Sequence, residues 1–175
     1  MAGIRGRRFK YIATAAWLSM LASMLALMLV WGNAPAQPPC RTSFDDPEFA
    51  LAAGCMIRYG HRMLAVRHRL SGKLGFPAGF AENGESAQCV AHRETWEETG
   101  LDVVVHAMLK RFGNGFVLYH CELTDARATD SDELAVPKSG VTEVSQVVWI
   151  DPHATTALDW RFPRQYPVIL DLIDQ

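Results

Sequence analysis

Between Gly79 and Leu101 the chain reads GFAENGESAQCVAHRETWEETGL, a stretch with five glutamates, one arginine and three glycines. NGE opens a helix that the pattern carries to about Thr99, and Gly100 stands where a C′ glycine ends one. Successive helical residues turn by about 100°, so Glu97 falls at about 300° and Glu98 at about 40° from Glu94. Three carboxylates therefore share one face, where like charges repel by roughly a few tenths of a kcal/mol per pair. A helix serving solubility alone intersperses lysines, yet none occurs between Lys73 and Lys110, and only Arg93 adjoins the acids. Such a cluster is relieved by a hard cation, and Mg²⁺ takes carboxylate oxygens together with substrate phosphates. The histidines show no ligand spacing, and His92, at about 160° from Glu94, points away from the acids.

The frame around this helix is more specific than its charge. Gly79 is followed after five residues by Glu85, after seven more by Arg93-Glu94, then by Thr95, one residue, Glu97-Glu98, one residue, Gly100 and Leu101. At average composition these seven fixed positions coincide somewhere in such a chain with odds below roughly one in 10⁶. The pattern resembles the box of the Nudix hydrolases, with Thr95 at a position that is usually apolar. GFPAGF just before it resembles the family's Pro-Gly-Gly entry, with Ala78 in place of the first glycine.

The resemblance implies an α/β fold, an α/β/α sandwich around a mixed sheet, over residues 49–175. It implies that Glu94, Glu97, Glu98 and the Gly79 carbonyl hold Mg²⁺, or Mn²⁺ in its place. Arg93 then orients the acids, and Glu85, expected at the helix start, has a structural role. The implied reaction is attack of water on a phosphorus of a nucleoside diphosphate linked to some group X. Family members often draw a further acid from outside the box. Glu143, just before a strand ending in Trp149, is favoured over Glu133. Arg67 and Arg69, at the end of a predicted strand, are candidates for substrate phosphate. A Nudix-fold module that binds a nucleotide without cleaving it is the alternative, but such relatives usually lose box glutamates and this chain keeps them all.

A different kind of segment precedes the domain. Tyr11–Trp31 has no formal charge over 21 residues and follows MAGIRGRRFK, a basic leader. At about 1.5 Å per residue it would span roughly 31 Å, close to a hydrocarbon core. Ala34-Pro35-Ala36 also fits a signal-peptidase site. Residues 1–36 are therefore expected to be a signal peptide or signal anchor with an apolar helix over 11–31, and residues 37–48 a proline-rich linker. Either form places the domain outside the cytoplasm, in the periplasm or cell envelope, with the cytoplasmic membrane as a partner if the segment is uncleaved. Residues 1–36 carry a charge of +4, and the other 139 residues hold 13 basic and 19 acidic side chains, a net of -6. That acidic domain lacks the basic surface a nucleic-acid partner requires. The expected partner is a small diphosphate: a nucleotide sugar, ADP-ribose, a dinucleoside polyphosphate or a prenyl diphosphate. Nothing in the sequence indicates an oligomeric state.

Around the box, FALAAGCMIR and RMLAVRHR read as a hairpin about Tyr59-Gly60-His61. LDVVVHAML and FVLYHCEL read as strands joined by KRFGNG, and VSQVVWI as another. TDARATDSDELAVPKSG reads as a surface loop, and the tail as a short helix with Val168, Ile169, Leu172 and Ile173 on one side. Cys40, Cys55, Cys89 and Cys121 permit two disulfides in three connectivities, or four small buried thiols.

Overall fold

The computed structural model of the chain describes residues 36–44, 48–82 and 84–175. The expected apolar helix over 11–31 lies outside these residues. Among the described residues no helix is long and apolar enough to cross a membrane.

The sheet runs in the order β5-β6-β1-β2-β8-β7. Its strands are β1 (Ala52–Tyr59), β2 (Arg62–His68), β3 (Leu74–Gly75), β4 (Ala78–Phe80), β5 (Val103–Arg111), β6 (Phe116–Leu123), β7 (Glu133–Leu134) and β8 (Val144–Ile150). The expected hairpin forms, but β1 and β2 pair only beside their turn, Arg58 with Met63 and Tyr59 with Arg62. Beyond that point β4 pairs with β1 and β3 with β2, both antiparallel. The segment that leads into the acidic helix is thus held between two splayed strands. The β1–β6 ladder is parallel and the rest are antiparallel, so the sheet is mixed. Strands of two and three residues such as β3 and β4 carry too few side chains to show a period, which is why GFPAGF gave no strand signal.

Side chains alternate between two cores, as the strand period requires. Ala53, Cys55 and Ile57 of β1 join Leu64 and Val66 of β2 on one face, beneath Ala87, Val90 and Ala91 of α1 (Ala87–Thr99). Met56, Met63, Ala65 and Leu118 point to the other face and meet Ile169, Leu172 and Ile173 of α2 (Tyr166–Ile173). Each fully buried apolar side chain of this size stabilises by about 1.5–3 kcal/mol. The result is the expected α/β/α sandwich. Arg58 reaches from β1 to the C-terminal end of α2 and donates to the carbonyls of Leu172 (3.1 Å) and Ile173 (2.8 Å). Those are among the carbonyls that a helix end leaves without an internal partner.

The cysteines pair as Cys40–Cys89 and Cys55–Cys121. The second links parallel neighbours β1 and β6 inside the core, whereas the first ties an exposed cysteine to α1. Part of the segment expected as a linker is therefore attached. Thr42 bridges to Val105, Ser43 donates to Val105 O, and Arg41 pairs with Asp102 at 2.9 Å. The polar segment 124–140 is not wholly loop either, since Ala126–Thr129 forms a 3-10 turn and β7 pairs with β8.

Candidate active site

Helix α1 starts one residue later than Glu85 would need in order to cap it. Ser86 is the N-cap and accepts from the Cys89 N–H at 3.3 Å. At the other end Gly100 takes φ 73° and donates to Trp96 O at 2.8 Å, the left-handed stop expected of it. Thr95 is fully buried and offsets its polarity by donating to Ala91 O at 2.7 Å. His92 faces away from the acids, as its angle requires, and meets Asp102 Oδ1 at 3.1 Å.

Arg93 organises the acids. Its residue is 7% exposed, and its guanidinium donates to Glu85 (Nε at 3.1 Å to Oε1, Nη2 at 3.0 Å to Oε2), to Phe80 O at 2.7 Å and to Glu94 at 2.7 Å. A longer contact of 3.4 Å reaches Glu97, one helical turn on. Burial works against the charge, yet Glu85 and Glu94 raise the arginine's pKa further, so it stays ionised. Glu85 is thus Arg93's partner across the loop that precedes the helix. A fork-shaped donor suits this task, because it can hold several oxygens in one fixed geometry.

The remaining acids crowd together. Glu98 is 3% exposed and accepts from the Ala78 N–H at 2.9 Å. Its pKa is pushed up to about 8 by burial, and by the nearby Glu94 and Glu143 charges, against that hydrogen bond and Arg161. Burial also raises Glu94, which Arg93 pulls back down while Glu97 and Glu143 push it up. Glu143 therefore lies within electrostatic reach of Glu94 and Glu98, while Glu133 on β7 accepts from Gln146 Nε2 at 3.4 Å. Ser139 donates to Glu97 O at 2.7 Å and so docks the segment before Glu143 on the end of α1. Gly79 packs directly under Glu94, where a Cβ would collide with the carboxylate.

Among the described residues no three metal-binding side chains already converge on a point. Glu94 is turned to Arg93, and Glu98 to the Ala78 N–H. The donor set nonetheless fits a hard divalent cation, since carboxylates crowded around Gly79 are a set of hard oxygens whose mutual repulsion a positive charge would relieve.

Beside Gly79 opens a cavity of about 200 Å³. Its walls come from Phe76 and Phe80, from Phe116 beyond the β5–β6 turn, and from Trp160 and Phe162 ahead of α2. His68, Asn114, Arg161 and Gln165 supply its polar groups. Of the two arginines expected to meet phosphate, Arg67 is bonded to Gln146 (2.8 Å) and Gly72 O (2.8 Å), and Arg69 to Val144 O (2.9 Å). Neither lines the cavity, whereas Arg161 does. Nothing local in ALDWRFPRQY marks Arg161, since its position depends on a segment far from the box.

The geometry can be set beside known proteins. A MutT-like protein of Streptomyces ambofaciens is 32% identical over 100 residues, covering 54% of this chain and 65% of its own length. The chain thus spans less than two thirds of that relative. Among solved structures, a NUDIX hydrolase from Nitrosomonas europaea superposes with a TM-score of 0.56 at 21% identity, covering 75% of this chain and 72% of that one. A UDP-X diphosphatase gives 0.57 at 17% identity over 100% of this chain and 84% of its own. Both likenesses are of fold. The NUDIX domain family itself matches residues 48–172, far more than half of the sequence and including every residue of the glutamate site. On that match the chain belongs to the NUDIX domain family.

Proposed function

We propose that the protein is a divalent-metal-dependent hydrolase that cleaves the pyrophosphate bond of a nucleoside diphosphate linked to a group X, outside the cytoplasm. The observation that carries this reading is the Arg93 network, which holds Glu85, Glu94 and Glu97 in one cluster beside Glu98, at the mouth of an apolar cavity. A solvated acidic helix face has no use for a buried arginine clamp. A module that only binds nucleotide does not need every box glutamate.

Mg²⁺, or Mn²⁺ in its place, would be held by Glu94, Glu97, Glu98 and the Gly79 carbonyl, where it supplies Lewis-acid polarisation of the phosphoryl oxygens. The chain's own residues do the rest. Arg93 keeps Glu94 and Glu97 facing one direction. Glu143, outside the box and electrostatically coupled to the buried glutamates, takes the proton of the attacking water. As the water oxygen bonds to phosphorus, the anhydride P–O bond breaks and its electron pair leaves with the departing phosphate. Arg69 is kept as a phosphate candidate because its backbone N–H binds Glu143 O at 2.7 Å, while Arg67 is committed to Gln146 and Gly72.

The extracytoplasmic setting is supported by the charge-free run Tyr11–Trp31 and by the pairing of all four cysteines, because disulfides persist in oxidising compartments. A nucleoside diphosphate joined to X is also the substrate form in the name of the UDP-X diphosphatase, a neighbour in fold.

The test is release of phosphate or nucleotide by the full-length chain with Mg²⁺ or Mn²⁺. The panel holds nucleotide sugars, ADP-ribose, dinucleoside polyphosphates, nucleoside triphosphates and a prenyl diphosphate, each run beside Glu97→Gln. Metal-dependent turnover of one class, cut by about 10²–10⁴-fold in the variant, is expected. Metal binding by the folded chain without turnover of any member would establish the binding module instead.

A further inference from the structure

The cavity beside the glutamates carries one permanent charge among the residues that line it, that of Arg161. Its backbone is fixed from both sides. The Arg161 N–H donates to Leu74 O at 2.8 Å, and Leu74 bridges to Trp160. Trp160 is buried against Phe76 and Tyr166 and donates from Nε1 to Thr155 Oγ1 at 3.0 Å. The side chain leaves this anchor over the Phe162 ring, with Cζ 5.4 Å from the ring centroid, and brings Nη1 to 3.3 Å from His68 Nδ1 and 3.5 Å from Nε2. Among the described residues no carboxylate forms an ion pair with it. Gly79 lines the same cavity and lies directly under the Glu94 carboxylate, so the arginine shares its wall with the glutamate site.

His68 owes its place to two local features. The β2–β8 ladder slips register between Arg67 and His68, and such an irregularity re-aims a side chain. Gly75, paired with Val66 on the adjoining strand, has no side chain, and a Cβ there would stand 2.7 Å from His68 Nε2. The imidazole fills the room that glycine leaves. Burial and the Arg161 charge lower its pKa to about 4, so at neutral pH it is an uncharged acceptor for the arginine rather than a second cation.

We propose that Arg161 receives a phosphate oxygen of the substrate at the junction of cavity and glutamates, and that His68 is the positioning residue that aims it. This rests on the hydrolase reading and adds to it the recognition half. The ligand it describes is an anionic phosphate attached to a flat or apolar group that enters among Phe76, Phe80, Phe116 and Phe162.

Steady-state kinetics of the full-length chain and its Arg161→Ala, His68→Ala and His68→Gln variants test it on the panel substrate that is turned over. Calorimetric titration with ADP-ribose and UDP-glucose runs alongside, and unfolding curves check the fold. A charge-assisted hydrogen bond predicts a KM raised by about tenfold to a hundredfold in Arg161→Ala, a larger effect than on kcat. His68→Ala should raise KM in the same direction by less, and His68→Gln, which keeps an acceptor, should recover most of it. A KM unchanged in Arg161→Ala, with turnover intact in the parent, overturns the proposal and leaves the hydrolase standing. Without turnover, weaker binding of either nucleotide to Arg161→Ala would uphold the arginine and remove the hydrolase. Equal binding by parent and variant, or none by the parent, would overturn the proposal.

Discussion

Arg93 and Arg161 serve one site from opposite surroundings. Arg93 is enclosed, with four acceptor groups around its guanidinium drawn from β4, the loop behind it and its own helix. Arg161 is exposed and stands on a segment ahead of α2, and among the described residues its guanidinium meets a neutral imidazole and a phenyl ring. The first arrangement is complete without ligand, and the second has donors left over. The proposed hydrolytic centre is thus built as a closed internal network, while the proposed recognition arm is built with unspent charge on an apolar wall.

The largest effect that separates the two regions is on stability. Arg93→Met removes a buried charge and leaves the half-buried Glu85 and Glu94 without their counter-charge, and loss of one partner from a buried pair costs up to about 3–5 kcal/mol. Arg161→Met removes a surface side chain and is expected to change stability by no more than about 0.5 kcal/mol. Denaturant unfolding of both variants measures the contrast. Equal losses would show that Arg161 is a structural residue.

A smaller effect separates the two disulfides. Cys55–Cys121 and Cys40–Cys89 close segments of similar separation, 66 and 49 residues, so chain entropy alone assigns each about 4 kcal/mol. The first is sealed in the core, so its replacement by two alanines also leaves unfilled space. The second releases an arm still tied by Arg41–Asp102 and by the bridge to Val105. The Cys55→Ala/Cys121→Ala chain should therefore unfold at lower denaturant than Cys40→Ala/Cys89→Ala, and matched midpoints would show that burial adds nothing.

The two regions also differ in a pair of opposed pH trends in the metal-free protein. Glu98 has its folded pKa raised to about 8, so its contribution is fully present below the usual glutamate range and is lost as pH rises toward 8. His68 has its folded pKa lowered to about 4, so its contribution is fully present above the ordinary histidine value and is lost as pH falls toward 4. Melting curves across this range should show Glu98→Gln flattening the alkaline side and His68→Gln the acid side. If either substitution flattens the opposite limb, the two regions are coupled in a way that this geometry does not contain.

The glutamate site was legible because its parts lie within 23 residues and one helix sets their angles. Gly79 needs no side chain, Glu94, Glu97 and Glu98 share a face, and Gly100 ends the helix, all of which follow from spacing and backbone geometry. Apolar and β-branched runs likewise placed β1, β5, β6 and β8, since a strand with a core on each face is apolar on both, and alternation placed β2. Glu85 as the partner of Arg93 was missed, because a loop contact across eight residues has no period. The pairing Cys40–Cys89 and Cys55–Cys121 was open for the same reason: three connectivities satisfy the spacing, and only the parallel neighbours β1 and β6 bring Cys55 to Cys121. The cavity is the extreme case. Phe76, Phe116, Trp160 and Arg161 come from separate elements, and whether an aromatic ring lines a core or a pocket depends on what faces it. Local chemistry is determined by the sequence itself, through the fixed rotation of a helix and the alternation of a strand. Which distant side chains share a wall with it is decided only when the sheet folds, because long-range proximity is a property of packing and leaves no trace in spacing.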